Sequence, residues 1–218
     1  QALLGQTGGV VWDAAVVLSR FVVQHATTLG LPVGDSARWL ELGAGCGAVG
    51  IAASKLLPVP VVLSDQQSIL PILQKNLLEN RCTARTTPAL LDWGADGATS
   101  IDLSPEQEAA GFDVIVGADC VFNQELVALL IESLLRFAGR GTAVLLAMEL
   151  REPTYVFPSC PPSLRTLGPA AALPVVTPVL PLCSRVVVLR QGDFRVPPGS
   201  AARLRLMPAR HPLLRPVR

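Results

Sequence analysis

The sequence predicts an α/β fold, a doubly wound and mostly parallel sheet with helices on both faces. Segments typical of strands and of helices alternate between Trp12 and Met148, as they do in right-handed βαβ units. The strand segments are continuously apolar, which is typical of strands that helices cover on both faces. A glycine cluster follows the first strand, at the sheet edge where open parallel sheets bind their ligands.

Each element follows from its local residue pattern. Apolar residues at helical spacing predict helices that Pro and Gly residues help to delimit, over residues 12–29, 47–57, 68–80 and 124–137. Short apolar or β-branched runs predict strands over residues 38–42, 59–63, 86–91, 113–118 and 142–148. Ser104-Pro105-Glu106 is typical of a helix start and predicts a short helix within the polar stretch 95–111.

The pattern changes after Leu150. Residues 152–173 are rich in proline and lack helical periodicity. Two apolar runs, 175–180 and 185–189, predict an antiparallel C-terminal hairpin at the sheet edge, which brings the predicted sheet to seven strands. We therefore predict one domain over residues 1–190 and a loose Pro/Arg-rich tail over residues 191–218.

Bulk composition excludes several function classes. The net charge of +1 provides no general field for nucleic acid or for an anionic membrane. The five cysteines are odd in number and form no C-x-x-C pair, and the two histidines lie far from them, which argues against a zinc site or a disulfide framework. We expect no metal, no membrane span and a monomer in a reducing compartment, the cytosol or alternatively the nucleus.

The glycine cluster, residues 41–50, is compatible with two cofactors. Gly45 to Gly50 formally matches G-x-G-x-x-G, the dinucleotide fingerprint, and that match alone is weak. Glu41 to Gly47 reads E-x-G-x-G-x-G, the first motif of S-adenosylmethionine enzymes. Glu41 favours the second cofactor, because a carboxylate at the end of a buried strand needs a partner and a cationic amino-acid tail provides one. The alternative for Glu41 is a carboxylate on the surface.

Four further side chains follow predicted strands, and the first three fit a nucleoside. Asp65 follows the second strand, where an acid binds ribose hydroxyls, although it could instead cap the next helix. Asp92 and Trp93 follow the third strand, and a carboxylate beside an indole suits the edge and face of an adenine. A turn aspartate beside a core tryptophan is the alternative for that pair. Asp119 follows the fourth strand and faces the same expected crevice, or it caps the helix after it.

Four stretches together resemble methyltransferase family 16, the seven-stranded protein lysine methyltransferases that modify chaperones, ATPases and translation factors. The stretches are GGVVWDAAVVLSRF from Gly8, LELGAGCGAVGIAA from Leu40, LLDWG from Leu90 and VIVGADCVFNQELV from Val114. The resemblance covers Gly8 to about Met148 and implies a Rossmann-like class I methyltransferase fold. It also implies S-adenosyl-L-methionine as cofactor and a protein lysine as methyl acceptor.

The resemblance assigns roles to matching positions. Asp119 would help to position the target amine and Phe122 would wall its channel, since Asp119-Cys120-Val121-Phe122 matches the family's acid-x-x-aromatic motif. The cofactor would be held by Trp12, Glu41, Gly43, Ala44, Gly45, Asp65, Asp92, Trp93 and Ala118.

Two alternatives to a lysine methyltransferase stay open at this point. The acceptor could be arginine, histidine or a small molecule, because acceptor choice depends on loops. The chain could also keep the fold as a binding protein without catalysis, since its proline-rich part after Glu149 replaces a helix expected in the family. A nucleic-acid substrate is disfavoured because the Asp-x-x-Phe motif lacks the Pro-Pro pair of amino-methylating nucleic-acid enzymes.

Overall fold

The computed structural model describes residues 7–120, 124–149 and 184–190. After a 3-10 turn, Thr7–Gly9, five helices follow in chain order: α1 Asp13–His25, α2 Ala48–Leu56, α3 Leu70–Glu79, α4 Pro105–Ala110 and α5 Gln124–Phe137. The strands are β1 Trp39–Leu42, β2 Val61–Asp65, β3 Thr86–Leu90, β4 Phe112–Ala118, β5 Ala138–Glu149 and β6 Ser184–Arg190. The elements alternate as predicted from the sequence.

The strands form one sheet in the order β3-β2-β1-β4-β5-β6. Strands β1 to β5 are parallel, and β6 pairs antiparallel with β5. The strand order reverses between β1 and β4. The segments that follow these two strands therefore diverge, which opens a crevice at the carboxyl ends of the strands. The predicted α/β class with a mostly parallel sheet is confirmed.

The predicted C-terminal hairpin lies only partly within the described residues. Residues 185–189 fall in β6, as an antiparallel edge strand. The other predicted strand, 175–180, the proline-rich stretch 152–173 and the tail 191–218 lie outside the described residues. The hairpin, the seventh strand and the domain limits therefore stay predictions.

Both faces of the sheet are covered by helices. Successive residues of β1 point to opposite faces, so that Trp39 belongs to one apolar cluster and Leu40 to the other. The first cluster contains buried side chains of α1, α2 and α3, and the second contains Leu130, Leu134 and Phe137 of α5. This two-sided burial explains why the strands are continuously apolar in sequence.

Two element boundaries differ from the predictions. Helix α1 ends at His25, four residues early, and residues 26–30 continue as turns that end at Gly30, where φ +65° lets the Leu31 N–H donate back to the Ala26 carbonyl. Strand β5 begins at Ala138, which pairs with Phe112 before a register shift. No helix in the described part of the chain is long and apolar enough to cross a membrane.

Candidate functional site

The connection from β1 to α2 is a bend that requires glycine. Gly43, Gly45 and Gly47 have φ values of +60°, +53° and +82°, a backbone region that side chains rarely adopt. A Cβ atom on Gly43 would also lie 3.1 Å from the Trp93 ring and 3.3 Å from the Cys120 Sγ. Gly43 and Gly45 therefore present backbone without side chains to the crevice.

Glu41 lies beneath this bend and is buried, with 2% of its surface exposed. Its Oε2 accepts a hydrogen bond of 2.7 Å from the Gly50 N–H in the first turn of α2. Burial raises the pKa of Glu41 to about 8, the Gly50 hydrogen bond opposes that rise, and the nearby Asp65 adds to it. The alternative of a surface carboxylate is thus excluded.

Asp65 ends β2 and contacts the bend directly. Its Oδ2 accepts from the Gly45 N–H at 2.7 Å, and its Oδ1 accepts from the Gln66 N–H at 2.8 Å. Burial raises the pKa of Asp65, while both hydrogen bonds oppose the rise. Helix α3 begins only at Leu70 and has Ile69 as its N-cap, so Asp65 does not cap it.

Asp92 and Trp93 lie in a tight loop after β3. The Asp92 side chain is exposed, and its backbone N–H donates to the Ala98 carbonyl at 2.8 Å. The Trp93 ring is half-buried, packs against the core cluster of α5, and lies above Gly43. The pair is therefore both a turn beside the core and part of the crevice wall.

Asp119 follows β4 on the far side of the crevice. It has φ +54°, which is uncommon outside glycine but tolerated by aspartate. Its backbone N–H donates to the Ala147 carbonyl of β5 at 2.8 Å, which holds the turn in place. Phe122, the predicted channel wall, lies outside the described residues.

One cavity of about 560 Å³ joins these positions, a size typical of small-molecule sites. It is lined by ten of the predicted site residues, Trp12, Glu41, Gly43, Ala44, Gly45, Asp65, Asp92, Trp93, Ala118 and Asp119. Of the described side chains that line it, four are carboxylates and none is basic. Within the described ranges, no group of three or more His, Cys, Asp or Glu side chains is placed to hold a metal ion. Its four carboxylates make the cavity suited to a cationic ligand.

Comparison with known proteins identifies the family of this chain. The model of a family described as lysine methyltransferase matches residues 1–155. The chain belongs to this family. The matched region holds the glycine bend and all four cavity carboxylates, so the candidate site lies within the part of the chain that defines the lysine methyltransferase family.

Curated relatives in the lysine methyltransferase family have related sequences. Protein N-lysine methyltransferase METTL21A of Danio rerio is 37% identical over 145 residues, 65% of this chain and 61% of the relative. EEF1A lysine methyltransferase 3 of Xenopus tropicalis is 31% identical, with 65% and 58% covered. Protein-lysine N-methyltransferase EEF2KMT of Homo sapiens is 32% identical over 167 residues, with 68% and 47% covered. The match thus spans less than two thirds of each relative.

Several residues that line the cavity were not predicted from the sequence as site residues. Cys120 lies on the cavity wall, where its thiol donates to the Leu42 carbonyl at 3.3 Å and burial raises its pKa. Its place directly after Asp119 was a usable signal. Leu126 and Leu129 line the cavity from α5, and their i,i+3 spacing indicates a shared helix face without indicating what it faces. Ile69, ahead of α3, had no such signal.

Proposed function

We propose that the chain is an S-adenosylmethionine-dependent protein N-methyltransferase that methylates a lysine side chain of a protein substrate. One observation carries the proposal, the buried Glu41 carboxylate beneath the glycine bend at the cavity. A buried carboxylate is costly to ionise without a cationic partner, and none of the described lining side chains is basic. The family membership and the relatives' names support the same activity.

The residues present fit this cofactor. Glu41 offers a carboxylate to its cationic amino-acid end, and Asp65 offers one to its ribose hydroxyls. Trp93 offers an apolar face to the adenine. Gly45 lets a ligand approach the backbone, because no side chain intervenes there.

The chain's own part in methyl transfer is to bind, orient and desolvate. S-adenosylmethionine, when bound, supplies an electrophilic methyl group on a sulfonium. The acceptor lysine must be neutral to attack, although its unperturbed pKa is about 10.4. Apolar lining residues such as Leu126 disfavour the charged amine by desolvation, and Asp119 would hold the amine in line.

Calorimetry followed by a methylation assay tests the proposal. We expect the protein to bind S-adenosylhomocysteine in preference to NADH. With methyl-labelled cofactor and a cytosolic lysate, mass spectrometry should locate the label on a lysine of a protein, such as a chaperone, an ATPase or a translation factor. Label on arginine, histidine or a small molecule would reject the acceptor, and absence of nucleoside binding would reject the function as a whole.

Substitution of Asp119 should separate catalysis from cofactor binding. We expect Asp119→Asn to lower turnover by roughly a hundredfold, the cost of a misplaced acceptor, because the charge that orients the amine is lost. Asparagine also tolerates positive φ, so the backbone turn should survive. Steady-state rates and the S-adenosylhomocysteine Kd are the measurements, with the exposed Asp102→Asn as control. Equal losses of turnover and cofactor affinity would contradict a role on the acceptor side.

A further inference from the structure

The loop that carries Asp92 and Trp93 is fastened to α5 by three side chains. The Ser133 Oγ accepts from the Gly94 N–H at 2.9 Å, and the Glu132 Oε2 accepts from the Ala95 N–H at 3.2 Å. Arg136 Nη1 donates to the Gly97 carbonyl at 2.8 Å. We call residues 92–97 the adenine loop and the three α5 side chains, Glu132, Ser133 and Arg136, the α5 clamp.

The hydrogen bond from Gly94 to Ser133 is buried. Ser133 is fully buried with 0% exposure, and its hydroxyl proton is used by the Leu129 carbonyl at 3.0 Å. The Ser133 hydroxyl therefore accepts one hydrogen bond and donates another, and the two bonds together fix its orientation. Since Gly94 is also buried, its N–H would have no water to replace Ser133.

The adenine loop is too tight to absorb a local change. A Cβ atom on Gly97 would collide with the Asp92 carbonyl oxygen, so the two ends of the loop are in contact. Gly94 has φ +128°, which only glycine adopts readily. A displacement of Gly94 or Ala95 is therefore transmitted to the adjacent Trp93.

We propose that the α5 clamp positions Trp93 and Asp92 and thereby determines the affinity of the site for the nucleoside part of its ligand. The proposal rests on the proposed function, because it assumes a nucleoside in the cavity. Ser133, Glu132 and Arg136 do not line the cavity, so they act through the loop as positioning residues. Leu126 and Leu129 of the same helix do line the cavity, so α5 contacts both the cavity and the adenine loop.

Two ligands distinguish positioning from general stability. Ser133→Ala should weaken S-adenosylhomocysteine and adenosine by the same factor, about tenfold, the equivalent of one lost buried hydrogen bond. Glu132→Ala should weaken the binding of both ligands less than Ser133→Ala does, because Glu132 is exposed. Glu132→Gln should restore the binding, because it keeps an acceptor oxygen. Leu135→Ala, on the exposed side of α5, is the matched control and should bind both ligands like the parent.

The outcomes are separable from those of the proposed function. If the parent protein binds neither ligand, the proposed function fails. If the parent binds both, and Ser133→Ala and Glu132→Ala bind adenosine as tightly as the parent does, the positioning role is overturned. A loss for S-adenosylhomocysteine that spares adenosine would overturn it too, because the proposal places only the nucleoside part of the ligand against the adenine loop. Thermal unfolding of each variant identifies a loss that comes from unfolding, which Glu132→Ala and its glutamine rescue would not show.

Discussion

Replacing Gly50 with alanine is expected to destabilise the folded protein by about 3 kcal/mol, the upper part of the range for overpacking. Inside a helix, replacing glycine with alanine usually stabilises the folded protein by about 1 kcal/mol. At Gly50 we expect the opposite sign. The added Cβ would lie 2.6 Å from Leu63 Cδ2 and 2.7 Å from Glu41 Oε2. Both neighbours are buried and cannot swing away.

Chemical denaturation measures this change, and Gly141→Ala is its control. A Cβ atom on Gly141 meets nothing within 4 Å, so that variant should stay close to the parent in free energy of unfolding. We also expect Gly50→Ala to lose S-adenosylhomocysteine affinity by roughly a hundredfold, because Glu41 must leave its position. A Gly50→Ala protein as stable as the parent would show that the contact of α2 with β2 is looser than described.

Glu41→Gln is expected to remove a pH dependence from both stability and cofactor binding. The pKa of Glu41 is about 8 in the folded protein, against an ordinary value of 4.5. Its contribution to stability is therefore complete below pH 4.5 and is lost as the pH rises to 8, because the unfolded chain releases its proton first. The slope reaches about 1.4 kcal/mol per pH unit. The glutamine variant should lack this slope and exceed the parent's stability at pH 8.

Cofactor binding should show the opposite trend. A cationic ligand favours the ionised carboxylate, so the affinity of the parent for S-adenosylmethionine should rise by up to about tenfold per pH unit below pH 8. Calorimetry at pH 7 in two buffers of different ionisation heat should show release of a proton by the parent and none by Glu41→Gln. The exposed Glu108→Gln is the control. Equal proton release by parent and Glu41→Gln would assign the titrating group elsewhere.

Most of the fold was predictable because the strands are buried on both faces and the helices have one apolar face. These local patterns predicted every helix and strand between Asp13 and Glu149, with boundaries mostly within a few residues. The early start of β5 was not predictable, because Ala138 joins the sheet by pairing with Phe112 from another part of the chain. A residue pattern contains no information about which distant backbone is near.

The candidate site divides in the same way. The sequence by itself determined the glycine bend after β1 and the acids at the ends of β1, β2 and β4, since strand direction alone brings those ends to one edge. Only the tertiary structure decided that Glu41 accepts from Gly50, that Trp93 lies over Gly43 and that Ser133 holds Gly94. The reason is physical: the alternation of strands and helices is encoded by neighbouring residues, whereas a hydrogen-bond partner 39 positions away depends on how α5 packs on the sheet.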